Sequence, residues 1–328
     1  MRVLIQHLVE LPAFHYGGTE RVMIWLARGL IEMGHDVGIV ALPGSHSPYK
    51  GIKIYGGEAE YFSSGDQYDV FHFFTNPPPH WIEHIGNRCV ATIQGNGQLG
   101  EKFHLNTVFV SRNHAKRHGS NVYVYNGLDP AELNYSSASR PDRYLFLSRT
   151  DWRVKNVRGA MSMCAKLRKN LWIAGGDGPL WARLKVQWRR SAGSDWRWMG
   201  SINQEQKAHF LTQGHALLFP ILWNEPFGLV QIESLVSGTP VLANPFGSAP
   251  EVLDFAPQCL MRNELDWVNA LTGNIQLPSP QVCRDWVMAH FTYQQMAKNY
   301  VRLYDDVLSG KTLNEKQPTT LITANDIT

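Results

Sequence analysis

The chain has 328 residues, 44% of them hydrophobic and 18% charged, with 31 Lys and Arg against 28 Asp and Glu for a net charge of +3. This apolar content excludes an intrinsically disordered chain, and the small charge makes no electrostatic case for nucleic acid. The length predicts about two domains, each able to bury its own core.

Residues 2 to 9, RVLIQHLV, have the length and apolar character of a strand, and a loop with Pro12, Gly17 and Gly18 follows. Thr19 is the expected N-cap of a helix whose Val22, Met23, Leu26 and Leu30 recur at helical spacing up to Gly34. DVGIVAL at 36 to 42 reads as the next strand, and YDVFHFF at 68 to 74, CVATIQG at 89 to 95 and TVFVS at 107 to 111 repeat the strand pattern. TNPPPHW at 75 to 81 is rigid, and reads either as the wall of a pocket or simply as a turn. After VYVYNGLDP at 122 to 130 the pattern restarts with a strand RYLFLSR at 143 to 149, a helix from about Val157 to Leu167, and a strand ending in a glycine turn, NLWIAGGDGP at 170 to 179. WRWMG at 196 to 200, ALLFP at 216 to 220 and PVLA at 240 to 243 complete this second series.

Alternation of this kind predicts α/β architecture with parallel sheets: two Rossmann-like, doubly wound domains facing each other across a cleft. The expected division is 1–126, 127–292, an amphipathic helix at 293–308 packing back on the first domain, and a polar, disordered tail at 309–328. The four cysteines, Cys89, Cys164, Cys259 and Cys283, form no CxxC pair and read as free thiols of a reducing compartment. No run approaches the ~20 apolar residues of a membrane span, and the start MRVLIQHLVE lacks the features of a signal peptide. The expectation is a cytoplasmic protein. Peripheral contact at the inner face of the membrane stays open, since RVK at 153 to 155 and WRR at 188 to 190 are local basic clusters that suit phosphates or an anionic surface, although WRR reads first as a solvated helix face. No oligomeric state follows from the sequence.

The segment that carries most chemistry is NEPFGLVQIESLVSGTPVLA, Asn224 to Ala243. Pro226 and Gly228 suit the start of a helix better than its interior, so Glu225 falls in a loop and the helix begins near Gly228, with Leu229, Ile232, Leu235 and Val236 as its apolar stripe. Backbone N–H groups at that helix start attract an anion, while Glu225 and Glu233 can accept from hydroxyls. Were both carboxylates on one helix, they would stand about 12 Å apart along its axis. That is beyond the ~5 to 9.5 Å of a glycosidase pair. In SRTDWRVKN, Arg149 closes a strand and Lys155 precedes a helix; a planar fork and a point charge together can neutralise a departing diphosphate.

Taken in order, Gly17-Gly18, NGLD at 126 to 129, SRTDWRVKN at 148 to 156, GGDGP at 175 to 179, MG at 199 to 200, EPFGLVQIE at 225 to 233 and GSAPE at 247 to 251 resemble the retaining, nucleotide-sugar dependent glycosyltransferases of family 4, which have the GT-B architecture. The correspondence runs from residue 1 to about 255, and the double-glutamate segment is its specific part. The resemblance implies that Arg149 and Lys155 hold the donor diphosphate and stabilise the leaving group without a metal or other cofactor. It also implies Glu225 on the transferred sugar, Glu233 on the ribose, and the backbone amides of Phe227, Gly228 and Leu229 on the phosphates. Gly200 to Ile202 would flank the base, and Gly18 would let donor or acceptor approach the first domain's loop. The donor would be a nucleotide diphosphate sugar, UDP-linked by default, and the acceptor a carbohydrate or a lipid-linked sugar. Transfer with retention would have the diphosphate help deprotonate the acceptor.

One position departs from the family pattern. Where members commonly carry a histidine facing the sugar, this chain has Gln94, which can hydrogen-bond a hydroxyl but does not titrate near neutrality. His72 and His104 are the candidate substitutes. The alternatives carried with the transferase are a GT-B epimerase and a non-catalytic sugar-nucleotide binding protein or transferase-complex subunit. The acceptor site is expected in the loops at 10 to 18, 75 to 81 and 94 to 104.

Overall fold

The computed structural model describes residues 1–12, 17–138 and 141–326. The middle of the 10-to-18 loop therefore lies outside the described residues. The chain divides into two compact units, Met1–Leu128 with Phe291–Thr323, and Asp129–His290 with the chain from Ala324 on.

The first unit runs β1 (Arg2–Gln6), α1 (Gly18–Glu32), β2 (Asp36–Ala41), β3 (Ile52–Gly56), α2 (Glu58–Ser64), β4 (Val70–Phe73), α3 (Pro79–Ile85), β5 (Cys89–Ile93), β6 (Thr107–Phe109) and α4 (Arg112–Arg117). Its six strands lie in the order β3-β2-β1-β4-β5-β6, and every pairing is parallel. Strands β4 and β5 are buried along their whole length, as expected for a parallel sheet covered on both faces. The order reverses between β1 and β4, so the carboxyl ends of those two strands flank a topological switch point, where open α/β sheets place ligands.

The second unit runs β7 (Arg143–Leu147), α5 (Val157–Lys166), β8 (Asn170–Ala174), α6 (Leu180–Ser191), β9 (Arg197–Trp198), α7 (Gln204–Phe210), β10 (Ala216–Phe219), α8 (Leu229–Val236), β11 (Val241–Ala243), α9 (Ala249–Val252), α10 (Glu264–Thr272) and α11 (Pro280–His290). Its five strands are again all parallel, in the order β11-β10-β7-β8-β9, with the reversal between β7 and β10.

Helix α12 (Tyr293–Leu308) belongs to the first unit and packs on α1 and β5. It buries Tyr293, Met296, Ala297, Tyr300, Tyr304 and Val307, one stripe at helical spacing.

Four readings of the sequence change. The strand expected at 2 to 9 ends at Gln6, which frees His7 at its exit. The N-cap of α1 is Gly17 and makes no side-chain cap, so Thr19 lies inside the first turn. TNPPPHW is more than a turn: Pro79, with its fixed φ and no N–H to satisfy, occupies the first turn of α3. The tail expected to be disordered is held in place. Pro318 and Thr320 accept from the Phe103 and Gly100 amides, and Thr319 and Leu321 donate to His118 and Arg117. Asn314 is buried and bonds Leu105, Thr107 and Ser120. Polar composition alone does not release a segment whose backbone finds this many partners.

Candidate active site

The second unit gathers its charged groups at the switch point. Strand β7 leads into Arg149 and a single 3-10 turn, Arg153–Lys155, while β10 leads into the loop that carries Trp223, Asn224 and Glu225. The turn is tied to that loop by the Leu222 amide donating to Val154 at 2.8 Å and by the Asn156 side chain donating to Pro220 at 2.9 Å. Asn156 also caps α5, accepting from Gly159 at 2.9 Å.

These ties bring Lys155 Nζ to 2.5 Å from Glu225 Oε2, with side chains only 12% and 9% exposed. Trp223 Nε1 donates to the same oxygen at 2.6 Å, and the Lys155 ammonium lies 4.9 Å from the Trp223 ring. A pair this sheltered has shed most of its water, so its attraction is stronger than at a surface, and removal of one member strands the other.

The Glu225 loop is held from behind by GSAPE. Gly247 has φ of +60°, and a Cβ there would stand 2.2 Å from the Glu225 carbonyl oxygen, so this place accepts only glycine. Ser248 donates its amide to the Glu225 carbonyl at 3.0 Å and its hydroxyl to Phe227 at 2.5 Å. Gly228, in left-handed conformation, caps α8, and Phe227 is buried while Gly228, Leu229 and Val230 are half-buried at the helix start.

Glu233, on α8, meets a partner that sequence reading missed. Lys207 of α7 places Nζ 2.6 Å from Glu233 Oε1, with side chains 11% and 5% exposed. The site thus contains two sheltered lysine–carboxylate pairs. Lysine is rarely buried unless paired, and no local pattern reveals such a partner 26 residues away.

Arg149 is arranged differently. It forks onto Asp151, with NH2 to Oδ2 at 2.7 Å, in an exposed setting, and stacks 4.5 Å from the Trp152 ring. The Lys155 ammonium lies 5.9 Å from that same ring, so one indole lies within reach of both cations. Gly200 belongs to the neighbouring strand end: its carbonyl accepts from Gly175 of GGDGP at 2.9 Å, and Trp198 donates to Gly176 at 3.0 Å. Ile202 is half-buried just before the Asn203 capping box of α7.

The first unit carries a separate pocket of about 330 Å³ at its own switch point. Its walls include His7 after β1, Thr19 of α1, Thr75 and Asn76 after β4, and Gln94 after β5. Gln94 and Asn126 exchange two amide hydrogen bonds, at 2.9 and 2.8 Å, which fixes the orientation of both. Gly18 is exposed at the start of α1, next to Thr19. Burial holds His7 below the ordinary imidazole range, with Glu20 pulling the other way, so the pocket has a neutral imidazole in its wall. The strand ending at Gln6 was the missed signal for His7.

His72 does not take the place of the family histidine. It is fully buried in β4, with Nδ1 2.6 Å from the Tyr304 hydroxyl and Nε2 2.8 Å from Thr92 Oγ1, and burial pushes its pKa down to about 3. A solvent-free histidine with both nitrogens engaged is a core residue and contacts no sugar. His104 accepts from the Asn106 amide at 3.1 Å and is not among the pocket residues.

Residues 134–256 match the family model described as glycosyl transferases group 1, a stretch that begins before β7 and contains Lys155, Glu225 and Glu233. An uncharacterized 41.2 kDa protein in the cps region of Klebsiella pneumoniae is 30% identical over 108 residues, covering 31% of this chain and 30% of that one. The match therefore spans less than a third of that relative's length. Among solved structures, AviGT4, a glycosyltransferase involved in avilamycin A biosynthesis, superposes over 95% of this chain and 99% of its own with a TM-score of 0.73 at 22% identity. HepE of Anabaena in complex with UDP-glucose covers 94% of this chain and 100% of its own, with a TM-score of 0.63 at 12% identity. The two parallel-sheet α/β units thus share the GT-B fold of these solved structures, and residues 134–256, on the second unit, match the group 1 glycosyl transferases.

Proposed function

We propose that the chain transfers a hexose-type sugar from a nucleotide diphosphate sugar, UDP-linked by preference, to a carbohydrate or lipid-linked acceptor, with retention at the anomeric carbon. The observation that carries this reading is the Lys155–Glu225 pair, held at the second unit's switch point beside the start of α8. Without donor, the two groups neutralise each other. A diphosphate offers Lys155 a competing anion, and the sugar hydroxyls offer Glu225 replacement donors, so the donor exchanges one sheltered pair for two matched contacts. Charge that develops on the leaving diphosphate falls to Lys155, to Arg149 released from Asp151, and to the amides of Phe227, Gly228 and Leu229, in a transfer that uses no metal. Glu233, oriented by Lys207, accepts from the ribose hydroxyls, and Gly200 and Ile202 border the base. On the other unit, the polar pocket with Gln94, His7 and Glu101 suits the hydroxyls of the acceptor. HepE with UDP-glucose supports the choice of donor class.

The test is calorimetric binding of a panel of nucleotide sugars, followed by turnover, with Lys155→Ala alongside and with and without a chelator. Expected is one preferred donor whose affinity falls at least tenfold in Lys155→Ala and is insensitive to chelation. Donor binding unaffected by the substitution sinks the site. Tight donor binding with neither transfer nor slow hydrolysis turns the conclusion to a sugar-nucleotide binding protein.

A further inference from the structure

Helix α6 is apolar on two sides. Ala182 and Val186 are buried against the second unit. On the opposite side Leu180, Trp181, Leu184 and Trp188 are exposed at 62%, 46%, 55% and 64%. At ~100° per residue these four fall within an arc of roughly 100°. Arg183 and Arg190 lie on one shoulder of this arc and Lys185 on the other, and α6 contains no acidic residue in LWARLKVQWRRS. The neighbouring α5 adds Arg158, whose guanidinium carbon lies 5.9 Å from the Trp181 ring.

Exposed tryptophans in a contiguous apolar stripe are costly in water and mark a binding surface. The flanking charges select its occupant. A second copy of the chain docking through the same helix would set like charges against like, which opposes association. A convex helix with indoles at the apolar edge and guanidinium and ammonium groups on both shoulders matches the layered chemistry of an anionic bilayer: acyl chains beneath, phosphates above. No helix among the described residues is long and apolar enough to cross a membrane, so the contact is interfacial.

We infer that α6 docks the second unit on an anionic phospholipid surface, with Leu180, Trp181, Leu184 and Trp188 entering the interface and Arg183, Lys185 and Arg190 meeting the headgroup phosphates. The helix emerges directly from GGDGP, the loop bonded to Gly200, so docking brings that strand end toward the lipid surface. Combined with the transferase reading, on which this last step rests, the docking selects the lipid-linked class of acceptor.

The experiment is co-sedimentation of the full chain with vesicles of phosphatidylcholine alone and of phosphatidylcholine with phosphatidylglycerol, at low and high salt. Partition onto the anionic vesicles is expected at low salt, weakened at high salt, with little binding to the neutral ones. Trp181→Ser with Trp188→Ser, and separately Arg183→Gln with Arg190→Gln, should each lower the partition coefficient by roughly tenfold or more. All four side chains are solvent-exposed, so folding is retained, and this is checked by melting. Equal binding to both vesicle types, no binding to either, or variants that bind like the parent overturn the inference. So does concentration-dependent self-association of the free chain that the tryptophan variant abolishes. Donor affinity of the same variants is measured in parallel: vesicle binding lost with donor affinity intact keeps the two conclusions separate.

Discussion

The two sheets reach their switch points with the same parallel topology and furnish them with different chemistry. Around β1 and β4 most groups are neutral or amide-like, His7, held below its ordinary range, Thr19, Asn76, and Gln94 locked to Asn126, with Glu101 the one carboxylate among the described residues lining the pocket. Around β7 and β10 they are ionic, two lysine–carboxylate pairs with side chains at most 12% exposed. On the function proposed above, the difference assigns the two substrates to different chemistry. Matched amides and hydroxyls recognise hydroxyls without a net charge to satisfy, whereas sheltered ion pairs keep a cation dehydrated and ready for an anion.

The largest effect is expected where that contrast is sharpest. Lys155→Ala or Glu225→Ala strands one buried charge and should cost about 3 kcal/mol in denaturant melts, along with donor binding. The double variant Lys155→Met, Glu225→Leu removes both charges and should regain most of that stability while remaining unable to bind donor. A double variant that binds donor like the parent breaks the comparison, since the pair would then be a structural device only.

An effect of similar size but different origin belongs to the first unit's core. The folded pKa of His72, about 3, lies below its unfolded value near 6.5, so the unfolded chain binds the extra proton first. The stability that this neutral histidine contributes is fully present above pH 6.5 and is lost as pH falls toward 3, by about 3 kcal/mol over the first two pH units. His72→Gln should flatten the acid arm of a stability-versus-pH curve between pH 6.5 and 4.5. An unchanged arm would show that His72 is not the group that titrates.

The smallest effect sharpens the neutral side. Gln94→Leu leaves the buried Asn126 amide without its reciprocal partner, at about 1 to 2 kcal/mol, and should raise the KM for acceptor while donor affinity holds. A change in donor affinity of the same size in both assays would remove the division between the two switch points.

How much of this was legible depended on whether the signal was local. The loop position of Glu225 and the start of α8 after Gly228 follow from residue type and spacing over a few positions, and the structure has them there, whereas several strands end two or three residues before the stretch read as strand does. Lys155 and Glu225 were each read, but as separate grips on a ligand; that they face each other depends on the β7–β10 adjacency, which no window of sequence contains. Lys207 was invisible for the same reason, a surface-type residue made internal by the packing of α7 near α8. Strand β3 and helix α2 were passed over because IKIYG is only partly buried and its helix is a mere seven residues, too short for periodicity to show. The α3 start, by contrast, was written in the proline at 79, and weighing Pro at a first helical turn would have found it.

The held tail also makes the molecule instrumentable. Ala324 accepts from the Asn224 amide at 2.7 Å and Asp326 from the Asn224 side chain at 2.8 Å, one residue from Glu225. Exposed Asn325 lies between those two anchors. All four native thiols are buried, and burial pushes Cys89 and Cys259 up to about 12 and Cys164 higher than an ordinary thiol. A maleimide dye offered to an Asn325→Cys chain therefore finds one reactive sulfur, tethered beside the proposed sugar carboxylate, where its emission can report donor arrival in real time without touching a site residue.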